Sequence, residues 1–241
     1  MFNFWSHVGS LPRPVLEAAI QEALSKGADL IDFRTDGDDF ALSQAVESFG
    51  GRFLGMSIKF GMKAKDLDKT GHNSYVKSSG EPVLLRPAEL ADLDWMRPLA
   101  REAHQISHFF NDPSLSPERA QGVFPAWLER CFGGVADAVM VLMVGDVSAG
   151  FVTLLVPKKL SEALGVRFGV LDFIAIAPAF QGRGLGAWFA HQAFAWLAER
   201  SEILEVRTMA NNLAAQNLYT RLGFRAIATD AHFHIGGGER K

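Results

Sequence analysis

Apolar positions along the chain alternate between helical and extended spacing, and that rhythm predicts most of its elements. Val15, Leu16, Ala19, Ile20 and Ala23 fall on one helical face over residues 12–26, and Gly27 follows the last turn. Residues 30–33 read as a strand, 36–39 as a turn and 40–49 as a helix, with Asp39 placed to cap it and Gly50-Gly51 to stop it. Residues 53–62 are extended. A polar stretch, 63–81, marks a boundary. After it come a short strand at 83–86, a helix at 92–104 broken or restarted by Pro98, and a loop at 107–117 rich in aromatic, Asp, Pro and Ser residues. A second helix runs from Pro117 to about Phe132. Strands at 138–144 and 149–155 meet at Gly145-Asp146, and 158–167 is a polar connection. The apolar run 171–177 is a strand that Pro178 ends. A glycine turn follows, then a helix with Leu185, Phe189, Ala193, Trp196 and Leu197 inward, a strand at 203–208, a helix capped by Asn212, and a last strand after Gly223-Phe224.

The order strand–helix–strand occurs twice. Residues 28–62 moved on by 173 fall on 201–235 without a gap. Arg34-Thr35 then lands on Arg207-Thr208, Ala41 on Ala214, Gly50 on Gly223, Arg52 on Arg225 and Phe60 on Phe233, and the caps Asp39 and Asn212 correspond. This is the signature of an internal half-repeat. The first copy lacks the glycine turn, and Val46 stands where the second has Tyr219. It is therefore expected to extend the sheet or shape an acceptor cleft, without binding cofactor.

The turn Gln181-Gly182-Arg183-Gly184-Leu185-Gly186 is the densest chemical signal. Glycines without Cβ atoms let a ligand approach the main chain, and the helix behind them offers unpaired N–H groups and a positive dipole end. That combination binds a phosphate without a lysine. A Walker A loop is excluded, because Leu-Gly-Ala closes the turn where Lys-Ser or Lys-Thr is required. Gly182, Gly184 and Ala187 match a dinucleotide fingerprint literally, but four residues separate them from the strand end and too little chain follows for the βαβ units that fingerprint serves. The pyrophosphate of coenzyme A is the third reading, and dinucleotide binding at the turn stays open beside it.

Composition narrows the picture. A net charge of −3 and a pI near 6.2 give no case for nucleic acid or a membrane surface as partner. A hydrophobic content of 48% supports a sizeable core. The lone Cys131 precludes an internal disulfide and reads as a packed side chain. No apolar stretch reaches membrane-span length, residues 1–14 lack a signal-peptide core, and cytoplasm is the expected compartment.

The strand, Pro178, Gln181-x-x-Gly184-x-Gly186 and the later N-x-x-A-x-x-x-Y-x-x-x-G-F pattern of Asn212, Ala215, Tyr219 and Gly223-Phe224 resemble the acyl-CoA signature of the GNAT acetyltransferase superfamily. The resemblance implies an α/β (α+β) GNAT fold. It implies a catalytic domain at 82–241, a linker at 63–81 and a degenerate GNAT-like half-domain at 1–62. It implies acetyl-CoA as co-substrate, with Ile174, Ala175 and Ile176 beside pantetheine and Gln181, Gly182, Arg183, Gly184, Leu185, Gly186 and Ala187 at the pyrophosphate. Asn212 and Asn217 flank the arm, and Asn212 is equally a sufficient cap. Tyr219 is the implied general acid toward the CoA thiolate, with an amphipathic core tyrosine as the plain alternative. Asp172, given strand parity with Ile174 and Ile176, is a candidate base, as are His104 and a water chain. His108, Phe109, Phe110 and Asp112 are candidate acceptor residues. His232 and His234 share a strand face, but no third ligand has suitable spacing, so no metal is expected.

The layout, with a truncated first half and an aromatic loop, resembles most the dTDP-fucosamine acetyltransferases. These acetylate the 4-amino group of a dTDP-linked 4-amino-4,6-dideoxygalactose, and the resemblance also implies a homodimer. Another amine acceptor, such as a protein N-terminus or a small metabolite, and an acyl-CoA-binding regulator remain open as alternatives.

Overall fold

The computed structural model describes residues 2–5, 12–68, 81–103 and 105–236, the first four as backbone only. His104 and most of the polar stretch after Leu67 therefore lie outside the described residues. The elements are β1 (Phe2–Trp5), α1 (Arg13–Ser25), β2 (Leu30–Asp36), α2 (Phe40–Ser48), β3 (Arg52–Lys63), β4 (Val83–Pro87), α3 (Leu93–Ala103), α4 (Pro117–Arg130), β5 (Ala138–Val144), β6 (Val147–Leu155), α5 (Lys158–Leu164), β7 (Phe168–Ile176), α6 (Leu185–Ala198), β8 (Ile203–Met209), α7 (Leu213–Arg221) and β9 (Arg225–Gly236). The caps form as their residue types demand. Asp39 accepts from the Leu42 N–H at 2.9 Å and Asn212 from the Ala215 N–H at 3.2 Å. The span read as a polar connection contains α5, a helix with no buried residue, and so no apolar stripe betrays it. No helix among the described residues is long and apolar enough to cross a membrane.

One nine-stranded sheet holds the chain together, in the order β1-β2-β9-β3-β8-β7-β6-β5-β4. The two repeat copies interleave in it. β2 pairs with β9 from Leu30↔Gly236, and β3 pairs with β8 down to Lys63↔Ile203, all antiparallel. Moving Leu30 on by 173 gives Ile203, and moving Gly236 back by 173 gives Lys63, so the two ladders share one register. Between them β3 and β9 pair with each other and skip Leu54 on one strand and Ile227 on the other, which the same shift also relates. The sequence repeat is thus a pseudo-twofold in the backbone, and the strand between β8 and β9 comes from the N-terminal copy.

Helices cover both faces. α6 buries Phe189, Phe194 and Leu197 against Leu142, Val152, Leu171, Leu204 and Val206, and α7 with its C-cap adds Tyr219 and Leu222 to that cluster. Each such large side chain contributes about 1.5–3 kcal/mol by leaving water. On the other face α3 and α4 pack Met96, Leu99 and Leu128 on Phe151, Phe173 and Ala175. α1 and α2 cover β2 and β9 through Leu16, Ile20, Leu42 and Val46. Asp92, before α3, accepts two 2.7 Å bonds from the Arg86 guanidinium and one each from the Glu89 N–H and the Trp95 indole, which hold its carboxyl well below the usual range.

Candidate active site

The site begins where the sheet opens. β7 and β8 run parallel and pair only from Phe168↔Ile203 to Leu171↔Val206. Both strands continue past that point, β7 to Ile176 and β8 to Met209, without pairing to each other. On its far side β7 stays paired to β6 through Ile174, Ala175 and Ile176, so the edge facing β8 is the one left for another extended chain.

At the end of that edge lies the glycine turn. Gly182 (φ 73°) and Gly184 (φ 79°) take a left-handed backbone that other residues adopt only at a cost, and Gly184 is the N-cap of α6. A Cβ at either would meet nothing within 4 Å, and one at Gly186 would meet only the Ile176 side chain at 3.8 Å. Space above the amides is therefore open to a ligand. The Gln181 side chain braces the turn by donating to the Ile176 carbonyl at 2.8 Å. Arg183 is exposed, its guanidinium 5.4 Å from the Phe180 ring centroid. Leu185 is buried beneath the turn, and Ala187 is half-buried on the first turn of α6. Asn217 is exposed on α7.

Beside the opening, on the α3/α4 face, is a cavity of about 460 Å³. Its floor joins both repeat copies: Asp32 and Arg34 from β2, Ser57 from β3, Glu205, Arg207 and Thr208 from β8, and His232 from β9. Under the 173-residue shift Asp32 corresponds to Glu205 and Arg34 to Arg207, so the pseudo-axis runs through the cavity. Arg207 bridges Asp230 at 2.7 Å and Glu205 at 3.4 Å. Burial and the nearby Arg207 charge lower Arg34 to about 10, which leaves it a cation at neutral pH. The rest of the wall includes His108, Phe109, Phe124, Trp127, Arg130, Asp172, Phe173 and Asn212. Balanced charge and aromatic faces suit a polar, ring-bearing small molecule.

Asp172 sits at the junction of opening and cavity, by a route that parity misses. β6 and β7 pair Thr153 with Phe173 and Leu154 with Leu171, so Asp172 is the extra residue of a β-bulge. The bulge takes it off the face of Ile174 and Ile176, which pack with the α6 cluster, and aims its carboxylate at α4. There it accepts from the Trp127 indole at 2.7 Å and the Thr153 hydroxyl at 2.9 Å. Burial raises its pKa, against the pull of these donors and of Arg34 and Arg207. Cys131, remote from Asp172 in sequence, lies near it in space. Burial, then the Asp172 charge, push the thiol up to about 12, which makes it inert as a nucleophile.

Tyr219 lies on the other face, inside the α6 core cluster, and does not line the cavity. It is buried among Phe60 of β3, Phe194 and Phe224, with ring centroids 5.9–6.4 Å away. Burial raises its phenol above the usual value, so it holds its proton at neutral pH.

The acceptor-loop residues divide. His108 and Phe109 line the cavity, and Asn212 both caps α7 and lines it. Phe110 packs with Leu30, Leu115 and Ala120, away from the cavity lining. Asp112 is drawn into a buried network. It accepts from Arg52 and from the Ser114 N–H and hydroxyl, and lies 2.7 Å from His234 Nδ1. Its carboxyl is held at about 2; burial opposes this, and the Ser114 and His234 bonds outweigh it. Sequence reading missed Asp32, Arg34, Ser57, Glu205, Arg207 and Trp127. The one available signal was the Arg34-Thr35 pair retained at Arg207-Thr208. The histidine pair also finds unforeseen company, since Asp32, His108 and His232 each offer a ligand atom within 4.8 Å of the others.

The sequence profile described as "Acetyltransferase (GNAT) family" matches residues 99–224. The chain is 27% identical over 218 residues to the spore coat polysaccharide biosynthesis protein SpsD of Bacillus subtilis (strain 168), covering 88% of this chain and 68% of that one. Among solved structures it resembles a GCN5-related N-acetyltransferase from Kribbella flavida (12% identity, TM-score 0.61, 95% of this chain and 76% of that one). It also resembles a tandem GNAT protein from the clavulanic acid biosynthesis pathway (9% identity, TM-score 0.58, 95% and 70%). At these identities the structures speak for the fold.

Proposed function

Since the chain belongs to the acetyltransferase (GNAT) family and is an acetyl-CoA-dependent N-acetyltransferase, we propose that its acceptor is the primary amine of a nucleotide-linked amino sugar, most simply a dTDP-linked 4-amino-4,6-dideoxy sugar. The observation that carries this is the cavity beside the β7/β8 opening. From Asp172 on β7 to His232 on β9 is three interstrand steps, about 14 Å at the usual spacing of about 4.8 Å. That is longer than one sugar ring, and its arginines suit phosphate. The polysaccharide role in the name of the Bacillus relative agrees with a sugar-derived acceptor.

In this reading the free edge of β7 takes the pantetheine arm as an added strand, and the amides of Gly182 to Ala187 hold the pyrophosphate, with Arg183 at the rim and Asn217 beside the arm. The thioester lies in the opening, between two proton-handling groups on opposite faces. Asp172 takes a proton from the acceptor ammonium. The neutral nitrogen attacks the acetyl carbon, a backbone N–H of β7 stabilising the oxyanion. As the C–N bond forms and the C–S bond breaks, Tyr219 gives its proton to the departing thiolate, and the second proton that the nitrogen sheds in becoming an amide passes through solvent to restore the phenol. No group on the enzyme is acylated, and most of the acceleration comes from holding two substrates in register. Residues 1–62, as a GNAT-like half joined through 63–81 to the catalytic part at 82–241, serve this site by lining the acceptor side.

The test is acceptor-dependent release of free CoA. dTDP-linked 4-amino sugars should turn over with kcat/KM at least about 100-fold above free amino sugars, polyamines or peptides, a difference of roughly 2.7 kcal/mol. Equal rates on the free sugar, or CoA binding with no turnover on any amine, would overturn the proposal.

A further inference from the structure

We propose that Asp32, His108 and His232 form a binding site for one divalent transition-metal ion at the acceptor end of the cavity. Each comes from a different segment: β2, the loop before α4, and β9. All three are at least nine-tenths buried and all line the cavity. One ring nitrogen of each histidine and a carboxylate oxygen of Asp32 lie mutually within 4.8 Å. His108 Nε2 is 3.1 Å from Asp32 Oδ1. Two ligands at roughly 2.0–2.1 Å from a tetrahedral zinc stand about 3.3 Å apart, so this edge needs almost no adjustment.

The hydrogen bonds around His232 supply the independent observation. Its Nε2 is 2.8 Å from the Ser57 hydroxyl, and that hydroxyl donates onward to Asp230 at 3.3 Å. In the tautomer that completes this chain Ser57 accepts the Nε2–H and Nδ1 keeps a lone pair. That Nδ1 is buried and makes no hydrogen bond among the described residues. A histidine whose outer N–H is fixed through a hydroxyl to a carboxylate, with its other nitrogen unengaged, has the arrangement by which proteins orient a metal ligand. His234 repeats the pattern alongside. Its Nδ1 faces Asp112 at 2.7 Å, and its Nε2, also without a partner among the described residues, is 3.9 Å from Asp32 Oδ1. A carboxylate and two imidazole nitrogens without hydrogen bonds thus gather at the cavity wall beside the Arg34 guanidinium, and a metal ion would engage nitrogens that the protein leaves open.

Two histidines and a carboxylate leave a coordination position open. Here it faces the cavity, so a hydroxyl or phosphate oxygen of the acceptor would complete the shell and the ion would position the acceptor. This role rests on the proposed function, but the site itself is tested without turnover. The full chain, stripped with EDTA, is titrated with Zn²⁺ by calorimetry and with Co²⁺ by visible absorption. The expected result is one ion per chain, an intense tetrahedral Co²⁺ band, and at least about 100-fold weaker binding in His108→Phe, which keeps the ring contacts, and in Asp32→Asn. Circular dichroism verifies that both variants are folded. Substoichiometric binding, or one-to-one binding that survives both substitutions, overturns the proposal. Either outcome leaves acetyl transfer itself intact.

Discussion

The copies β2–α2–β3 and β8–α7–β9 share register, bulge position and helix cap, yet they do different work. Equivalent residues meet at the cavity floor, where Asp32 and Arg34 face Glu205 and Arg207. They differ where the cofactor is expected. Only the second copy follows a glycine turn, and only its helix carries a phenol, Tyr219 against Val46. Backbone symmetry was kept by the sheet, which needs both halves to complete its ladders, while the chemistry became one-sided.

Four measurements break or sharpen that contrast. Tyr219→Phe should lower kcat by about 10²–10³ and leave CoA binding unchanged, because only the thiolate's proton donor is lost; an unaltered kcat would end that assignment. Val46→Ala, at the matching position, should cost stability alone. Next, Asp172→Asn should lower kcat/KM by about 10² and abolish its acidic limb. If Asp172 is the base, activity of the parent protein should rise with pH as it ionises, on a limb that burial places above the usual carboxylate value of 3.8. Stability should move oppositely. A carboxyl with a raised folded pKa stabilises the fold below the unfolded value and loses that contribution as pH rises through the folded one. The Asn variant should thus melt higher than the parent at pH 7.5 and show no gain at pH 3.5. A lower Tm at pH 7.5 would mean the charged form is favoured.

Smaller effects should come from the glycines. Gly184→Ala forces a Cβ into φ 79°, costing about 1–2 kcal/mol in the turn, and should raise the CoA dissociation constant about tenfold. Gly50→Ala meets the same strain at φ 82°, after α2. It should lower stability by about 1 kcal/mol with CoA binding untouched, and the two variants compared by calorimetry separate a ligand turn from a helix stop.

What the sequence disclosed follows from which physics is local. Caps, the glycine turn and amphipathic faces are written in neighbouring residues, so Asp39, Asn212, Gly184 and α6 could be read directly. The half-repeat was visible because two copies can be compared. Strand order was not, since nothing near β3 says that it lies between β8 and β9. One extra residue in β7 undid the parity argument for Asp172. Asp112 and Phe110 looked available in their loop and are engaged by Ser114, His234 and the packing around Leu115. The Asp32–His108–His232 cluster exists only once β2 and β9 are adjacent, which no spacing in the chain reveals.

The insertion of β3 has a consequence for how the protein is made. As the chain leaves the ribosome, β3 emerges early, while its partners on both edges follow later, Ile203 of β8 some 140 residues after Lys63. At about 5–20 residues per second this segment waits roughly 7–28 seconds with two unpaired edges, apolar at Leu54, Ile58 and Phe60. Newly made chains truncated before β8 should be the aggregation-prone species, and the first to need a chaperone.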